Sequence, residues 1–341
     1  MTHSAVSLAL AIAVASAVAF TGCAWRSDGA RLPSSLSDDE FWQLSTDLSE
    51  APGVFKHSDN LVSNEPLFPY TIRLLRPRGG VYIGVGPEQN FSYIARLEPE
   101  MAFIVDIRQQ NRSLHLLYKA LFEVSADRAE FVSRLFGRPR PAGLDGETSV
   151  HDLFTAFAAV AGSSSLYDAN ARLVRQRLLT THGFPLAPYD VQWIEYALQA
   201  FFADGPEIHY ARSRPEDAPE PSYRALMTAT DLGGQSRSYL SSEEAFAFVK
   251  DLHAKNRIVP VVGDFGGPTA IKRLGDYLRQ RNGVVSAFYS SNVEVYLNRQ
   301  QAAAFCENLA ALPTASHTVF IGSKGQRPLS AKLLACQGPP R

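Results

Sequence analysis

The sequence predicts an α/β protein: a mostly parallel β-sheet with helices on both faces, a three-layer αβα sandwich interrupted by a helical insertion. Three observations carry that expectation. The apolar run Val81-Tyr82-Ile83-Gly84-Val85-Gly86 breaks into Gly-x-Gly, a helical stretch follows, and Met101-Ala102-Phe103-Ile104-Val105-Asp106 forms a second apolar run ending in an acid. Strand-forming and helix-forming stretches alternate again from residue 241 onward. From residue 127 to about 202 the sequence reads mainly as helices. Strands separated by helix-length connections pair in parallel, because a parallel neighbour can be reached only by a crossover.

In chain order, Asp38 to Glu50 reads as a helix, with acidic residues at its start and Phe41, Trp42, Leu44 and Leu48 apolar. The polar segment from Pro52 to Glu65 is a loop leading into the first core strand, where it could fold over a ligand mouth. Asp59, Asn64 and Glu65 are its lid candidates, each also readable as a turn or cap residue. Strand 81–85, helix 90–97, strand 103–107 and a helix with Leu114, Leu117, Tyr118 and Leu121 on one face follow. Helices are expected near 127–136, 150–161, 170–180 and 189–202, then a proline-rich loop from Asp204 to Pro221. Ser241-Ser242-Glu243-Glu244 reads as a capping box opening a helix to about Lys255. Strand 258–262, helix 269–281, strand 284–289, helix 299–309 and strand 318–321 complete five strands. Residues 38–126 and 241–341 thus form two halves of one sheet domain, split by an insertion or cap over 127–240.

Ligands of such sheets bind beyond the carboxyl ends of the strands. Four strand ends carry candidates: Gly84 and Gly86, Asp106, Asp264, and Tyr289 with Asn292. Asp106 arrives 22 residues after Gly84, where a carboxylate can meet the hydroxyls of a ribose. A dinucleotide loop wants a third glycine, and Glu88 here would repel a pyrophosphate. A nucleoside cofactor without phosphates, S-adenosylmethionine, fits better. Expected cofactor-binding residues are Gly84, Gly86, Glu88, Asn90, Asp106 and Asp264. Asp264, Tyr289 and Asn292 are the catalytic candidates, with Asp264 or Tyr289 positioning an acceptor. Singly each has a plainer reading: the glycines close a βα turn, Asp264 caps a helix, Tyr289 is core.

With 341 residues, 45% of them apolar, the chain can bury a full core, and a net charge of −1 argues against a nucleic-acid partner. No histidine pair has metal-ligand spacing, and neither a Walker loop nor a Gly-x-Ser-x-Gly elbow occurs, so no metal is expected. Residues 1–22 read as a lipoprotein-type signal peptide: an uncharged apolar run from Ala5 to Phe20, then Phe20-Thr21-Gly22-Cys23, which resembles a lipobox. Cys23 would then be the lipidated first residue and 23–37 a tether, placing the protein on the cell envelope; a cytoplasmic location is the alternative. Cys306 and Cys336 would form either a disulfide in an oxidising compartment or two separate thiols.

Taken together, five segments resemble an uncharacterised bacterial protein family whose fold is similar to Rossmann methyltransferases. They are Ser58 to Glu65, Tyr82 to Asn90, Val105 to Arg108, Val261 to Pro268, and Ala287 to Glu294. The likeness runs from about Phe41 to Ser323 and implies an S-adenosylmethionine pocket, without an acceptor. Gly84 and Gly86 match the first two glycines of the methyltransferase cofactor loop and Asp106 the ribose acid. Tyr82 and Glu88 depart from the pattern, and Asp264 falls near the transferred methyl. The expected function is methyl transfer to a small or lipid-like acceptor. A non-catalytic, lipid-anchored envelope protein on the same fold is the alternative, and an NAD-dependent oxidoreductase comes last.

Overall fold

Every residue of β1 (Val81–Gly84), β2 (Met101–Asp106) and β3 (Ile258–Val262) is buried, as parallel strands covered on both faces must be. The computed structural model describes residues 31–56, 59–210 and 220–337. Residues 1–22, expected to be a signal peptide, and Cys23, the expected lipidation site, lie outside them. The sheet has six strands in the order β3-β2-β1-β4-β5-β6, with β4 at Val285–Ser291, β5 at Thr314–Gly322 and β6 at Gly325–Pro328. The first five run parallel, and β6 pairs antiparallel with β5 through the turn at Ser323-Lys324. The architecture is the expected mixed α/β sandwich with one strand more. β6 (Gly-Gln-Arg-Pro) lacks apolar alternation because it is a half-exposed edge strand.

The helices follow from local chemistry. α1 (Asp38–Leu48) opens with Ser37 and Glu40 capping each other reciprocally, at 3.2 and 2.8 Å, and buries Phe41 and Leu48. α2 (Phe68–Leu74), α3 (Gln89–Leu97) and α4 (Gln109–Val124) precede the insertion, which holds α5 (Arg128–Phe136), α6 (Val150–Ala158), α7 (Ser164–Arg175), α8 (Pro188–Asp204) and α9 (Tyr223–Thr228). α10 (Glu243–Ala254), α11 (Ala270–Gln280), α12 (Arg299–Ala310) and α13 (Leu329–Cys336) complete the chain. α3, α4 and α10 form one layer, and α1, α11, α12 and α13 the other. The N-cap of α10 is Ser242, accepting from Ala245 N, rather than Ser241; Glu243 turns instead to Arg128 at 2.9 Å. α2, α9 and α13 were not anticipated, since each spans only one or two turns and shows little periodicity.

Phe91 anchors the first layer, with His115, Tyr118, Phe122, Tyr239 and His253 edge-on at 5.2–5.5 Å. Helices α5, α7 and α8 of the insertion stack behind this layer. Asp190 of α8 accepts from Gln109 Nε2 at 3.0 Å and Ser113 Oγ at 3.1 Å of α4 and pairs with Arg112 at 3.2 Å, fixing α8 against α4. The predicted helix over 170–180 starts earlier, at Ser164, and ends in a π-helical turn, Gln176–Thr181. His182, just beyond, bridges Asp38 and Glu123 at 2.7 Å each, while Lys119 and Arg177 close on the same Glu123 at 2.6 Å. Burial opposes the ionisation of Glu123, but these partners outweigh it and bring its pKa down to about 2.

The tether reading over 23–37 needs one adjustment. Leu32 and Leu36 pack on the core, and Leu36 N donates to Lys255 O at 3.0 Å. Leu32 stands beside Gly283, just before β4, so the described chain begins at the amino ends of the strands. Among the described residues no helix is long and apolar enough to cross a membrane.

Cys306 of α12 and Cys336 of α13 are disulfide-bonded across a sequence separation of 30. Closing a loop of that length stabilises a fold by about 3–4 kcal/mol. Cys306→Ser should therefore lower the melting temperature measured without reductant, and wild type in reductant should melt with the variant. Equal melting of wild type with and without reductant would show that the bond carries no stability.

Candidate functional site

Strand order reverses between β1 and β4, and a cleft of about 190 Å³ opens there, beyond the carboxyl ends of the strands. Its walls come from four strand ends: Val85, Gly86 and Pro87; Asp106, Ile107 and Arg108; Gly263, Asp264 and Phe265; Tyr289, Ser291 and Asn292. From the lid loop come Val54, Phe55, Asn60, Ser63 and Asn64. Of the described insertion residues, Tyr210 reaches the cleft.

The glycine loop is braced from within. Asn90 Nδ2 donates to the carbonyls of Val85, Gly86 and Pro87 at 2.9, 3.1 and 2.7 Å, while its Oδ1 accepts from Tyr82 at 2.9 Å. A Cβ on Gly84 would lie 2.0 Å from that Oδ1, so Gly84 is glycine to make room for the brace and does not face the cleft. Gly86 is different: its φ of +80° puts it in the left-handed region, with open space where a side chain would start. Gly86 O also accepts from His115 Nε2 at 2.9 Å, and burial pushes the His115 pKa down to about 4, keeping the ring neutral.

Glu88 is not at the mouth of the loop. Its side chain is fully buried beneath the lid, accepting from Ser63 N at 3.1 and 3.2 Å, and burial raises its pKa to about 8. A protonated, covered carboxyl repels no pyrophosphate. The obstacle to a phosphate is steric instead: Pro87, Glu88, Gln89 and Asn90, where α3 begins, are all buried.

Asp106 sits at the end of β2 as expected, but its carboxylate is already paired. Oδ1 accepts from Arg108 N and Nε at 2.9 and 3.0 Å, and Oδ2 from Arg108 Nη2 at 2.8 Å, with both side chains almost wholly buried. A carboxylate offers about four acceptor positions, so one on Oδ2 stays open. The expected two-hydroxyl grip on a ribose is thus reduced to one. Arg108 also carries the lid: Nη1 donates to Asn60 O and Oδ1 at 3.3 and 3.0 Å, and the guanidinium lies 5.8 Å from the Phe55 ring. Phe55 meets Tyr296 edge-on at 5.0 Å, with Lys56 over the same ring.

Of the lid candidates, Glu65 makes the most contacts. It accepts from Tyr289 OH at 3.0 Å, from Gln89 Nε2 at 3.1 Å and from Ser291 Oγ. Gln89 Nε2 also donates to Tyr289 OH at 3.0 Å, and Ser63 Oγ donates to Gln89 Oε1 at 2.6 Å. Burial raises the Glu65 pKa against the pull of these bonds. Ser291 holds φ at +51°, a strained value for a residue with a side chain, and its hydroxyl points at Glu65. Asn64 faces the cleft and reaches toward Glu220 at 3.5 Å, whereas Asp59 lies in a turn beside Asn60 and does not line the cleft. Asn292 and Asp264 both line it, and Asp264 Oδ1 accepts from Gly266 N at 2.8 Å.

Two participants escaped sequence reasoning. Arg108 is visible only as the residue two beyond Asp106. Glu50 ends the segment after α1 and accepts hydrogen bonds from the loop leading to α11, more than 200 residues away, so no local pattern announces it.

The raised Glu88 pKa fixes a sign. An acid with a folded pKa of about 8 and an unfolded value of 4.5 adds no penalty below pH 4.5 and destabilises progressively as pH rises to 8. Glu88→Gln should leave stability near pH 4.5 little changed and raise it at pH 8 by a few kcal/mol, read from urea midpoints. An equal shift at both pH values would contradict a neutral Glu88. Asp106→Ala removes the carboxylate paired with the buried Arg108 and should cost about 3–5 kcal/mol in the same assay.

The family model described as a domain of unknown function, DUF7790, matches residues 60–140 and 210–334. Those segments hold β1 to α5 and Tyr210 to β6 with most of α13, hence every cleft-lining residue from Asn60 onward, while α6, α7 and α8 fall between them. No curated protein matches the chain. With more than half of its length matched, the chain belongs to the DUF7790 family.

Proposed function

We propose that the switch-point cleft binds S-adenosylmethionine and that the protein is a methyltransferase-like enzyme acting on a small or lipid-like acceptor. A single observation supports it best: four strand-end loops and a lid enclose one cleft that presents carboxylates and aromatic rings, while the start of α3, the helix after the glycine loop where a pyrophosphate would sit, is buried. A dinucleotide is disfavoured for that last reason. A cationic nucleoside suits the lining, where Arg108 is neutralised by Asp106 and Asp264 adds a negative charge.

S-adenosylmethionine, when bound, supplies an electrophilic methyl group on a sulfonium. The protein then has mainly to align and to manage a proton. Asp106 Oδ2 offers its open position to one ribose hydroxyl, and Gly86 lets the ligand approach the backbone. Asp264 faces the cationic end. Tyr289 OH, held by Gln89 and Glu65, takes the proton that an acceptor hydroxyl or ammonium gives up while passing its own to Glu65 Oε2. Burial makes Glu65 a better proton acceptor than an exposed glutamate. Phe55 and the lid exclude water.

The second reading, a non-catalytic binding protein anchored to the envelope through Cys23, is favoured by the internal use of Asp106, Gly84 and Asn90. Lipidated at Cys23, the chain would join its anchor to the amino ends of the strands, opposite the cleft. Fractionation of cells expressing the tagged chain separates the two, since a soluble cytoplasmic pool counts against the anchored protein.

Calorimetric titration of the protein with S-adenosylmethionine and S-adenosylhomocysteine should show saturable binding. Asp264→Asn, which can keep the bond to Gly266 N, should weaken the cationic ligand about tenfold more than adenosine, or roughly 1.4 kcal/mol. A folded protein that binds neither would sink the proposal.

A further inference from the structure

The loop from β3 to α11, Gly263-Asp264-Phe265-Gly266-Gly267-Pro268-Thr269-Ala270, joins a strand to a helix through glycines and a hydroxyl residue. Chains built this way turn several backbone N–H groups toward one point and favour an anion there. Here the anion is part of the protein. Glu50 Oε1 accepts from Asp264 N at 2.9 Å. Its Oε2 accepts from Thr269 N at 3.0 Å, Thr269 Oγ1 at 2.8 Å and Ala270 N at 3.1 Å. Burial opposes ionisation of this carboxyl, but the four hydrogen bonds outweigh burial and hold its pKa below the usual value.

The loop is moulded to that carboxylate. A Cβ on Gly267 would lie 2.1 Å from Glu50 Oε1 and 2.9 Å from Asp264 O, so only glycine fits. The main chain of Glu50 is fixed as well: its N–H donates to Val262 O at 2.9 Å, and Ser49 Oγ accepts from Val262 N at 2.9 Å, so the segment borders the free edge of β3. Gly263, Asp264 and Phe265 of the same loop line the cleft, which sets the Glu50 charge directly behind the cleft wall.

We propose that Glu50 is a specificity-determining residue: its carboxylate fills the place on α11 where a phosphate would dock, so the cleft accepts nucleosides without phosphate and turns away nucleotides. The choice of nucleosides as ligands rests on the S-adenosylmethionine reading; the occupation of the α11 start by Glu50 does not. A phosphate group would have to displace a side chain that satisfies four donors at once, and would stand beside Asp264. Both effects work against it.

The test uses inorganic phosphate, adenosine and AMP on the whole chain at constant ionic strength, with chloride as control. Glu50→Ala vacates the carboxylate position and should melt below wild type. Phosphate should raise its melting temperature saturably, with no such effect on wild type. AMP should bind this variant about tenfold more tightly than adenosine does, whereas wild type should prefer adenosine. A folded Glu50→Ala variant indifferent to phosphate would overturn the proposal, as would a wild type that takes AMP as well as adenosine. Glu50→Gln keeps the shape without the charge and covers the case in which the alanine variant does not fold. It should narrow the wild-type preference for adenosine about tenfold, and an unchanged preference would count against Glu50. Wild type that binds neither nucleoside would speak against the S-adenosylmethionine reading alone, since phosphate rescue of Glu50→Ala decides the role of Glu50 by itself.

Discussion

The reversal of strand order at β1 is the constraint on which the rest of the molecule depends. With β2 on one side and β4 on the other, the connections leaving the neighbours β1 and β4 pass to opposite faces of the sheet: α3 to one layer, α12 to the other. The loops after β1 and β4 must then diverge, and the crevice between them is a consequence of topology before any side chain is considered. Everything assigned to ligand binding lies within reach of that crevice. Helices α5, α7 and α8 of the insertion pack behind α4, and the family match skips α6 to α8.

Topology opens the crevice, but buried polar groups give it a definite shape. Asn90 ties three carbonyls of the glycine loop, Arg108 joins β2 to the lid through Asp106 and Asn60, Glu65 joins the lid to β4, and Glu50 joins the α1 end to α11. Each of these side chains satisfies several partners, as burial requires. The same bonds use up groups that a cofactor would otherwise meet. Asp106 keeps one acceptor position, and the start of α11 keeps none for an anion. The cleft is therefore better matched to a ligand without phosphate groups than to a nucleotide.

The alternation of apolar runs and helical stretches made most of the architecture legible, because strands buried on both faces leave uninterrupted apolar runs such as Ile258 to Val262. Gly86, Asp106, Asp264, Tyr289 and Asn292 were placed at strand ends from sequence and do line one cleft. Glu88 and Asn90 were read as ligand-facing because they follow the glycines; in the fold they point inward, one under Ser63 and the other across the loop. One-dimensional spacing does not say to which side of a helix start a residue turns. Nor does it reveal partners far apart in the chain, which is why Glu50 with Thr269 went unseen. Short elements such as β6, α2 and α9 escaped because four to seven residues carry too little periodicity to read.

Hydrogen exchange of the full chain, with and without saturating S-adenosylhomocysteine, tests most directly whether this lid-covered crevice is the ligand site. The structure predicts slower exchange confined to the segments that border the cleft: residues 54–55, 60–64, 85–87, 105–108, 263–265 and 289–297. Unchanged exchange in all of these, or protection centred on the α6–α8 insertion, would contradict it.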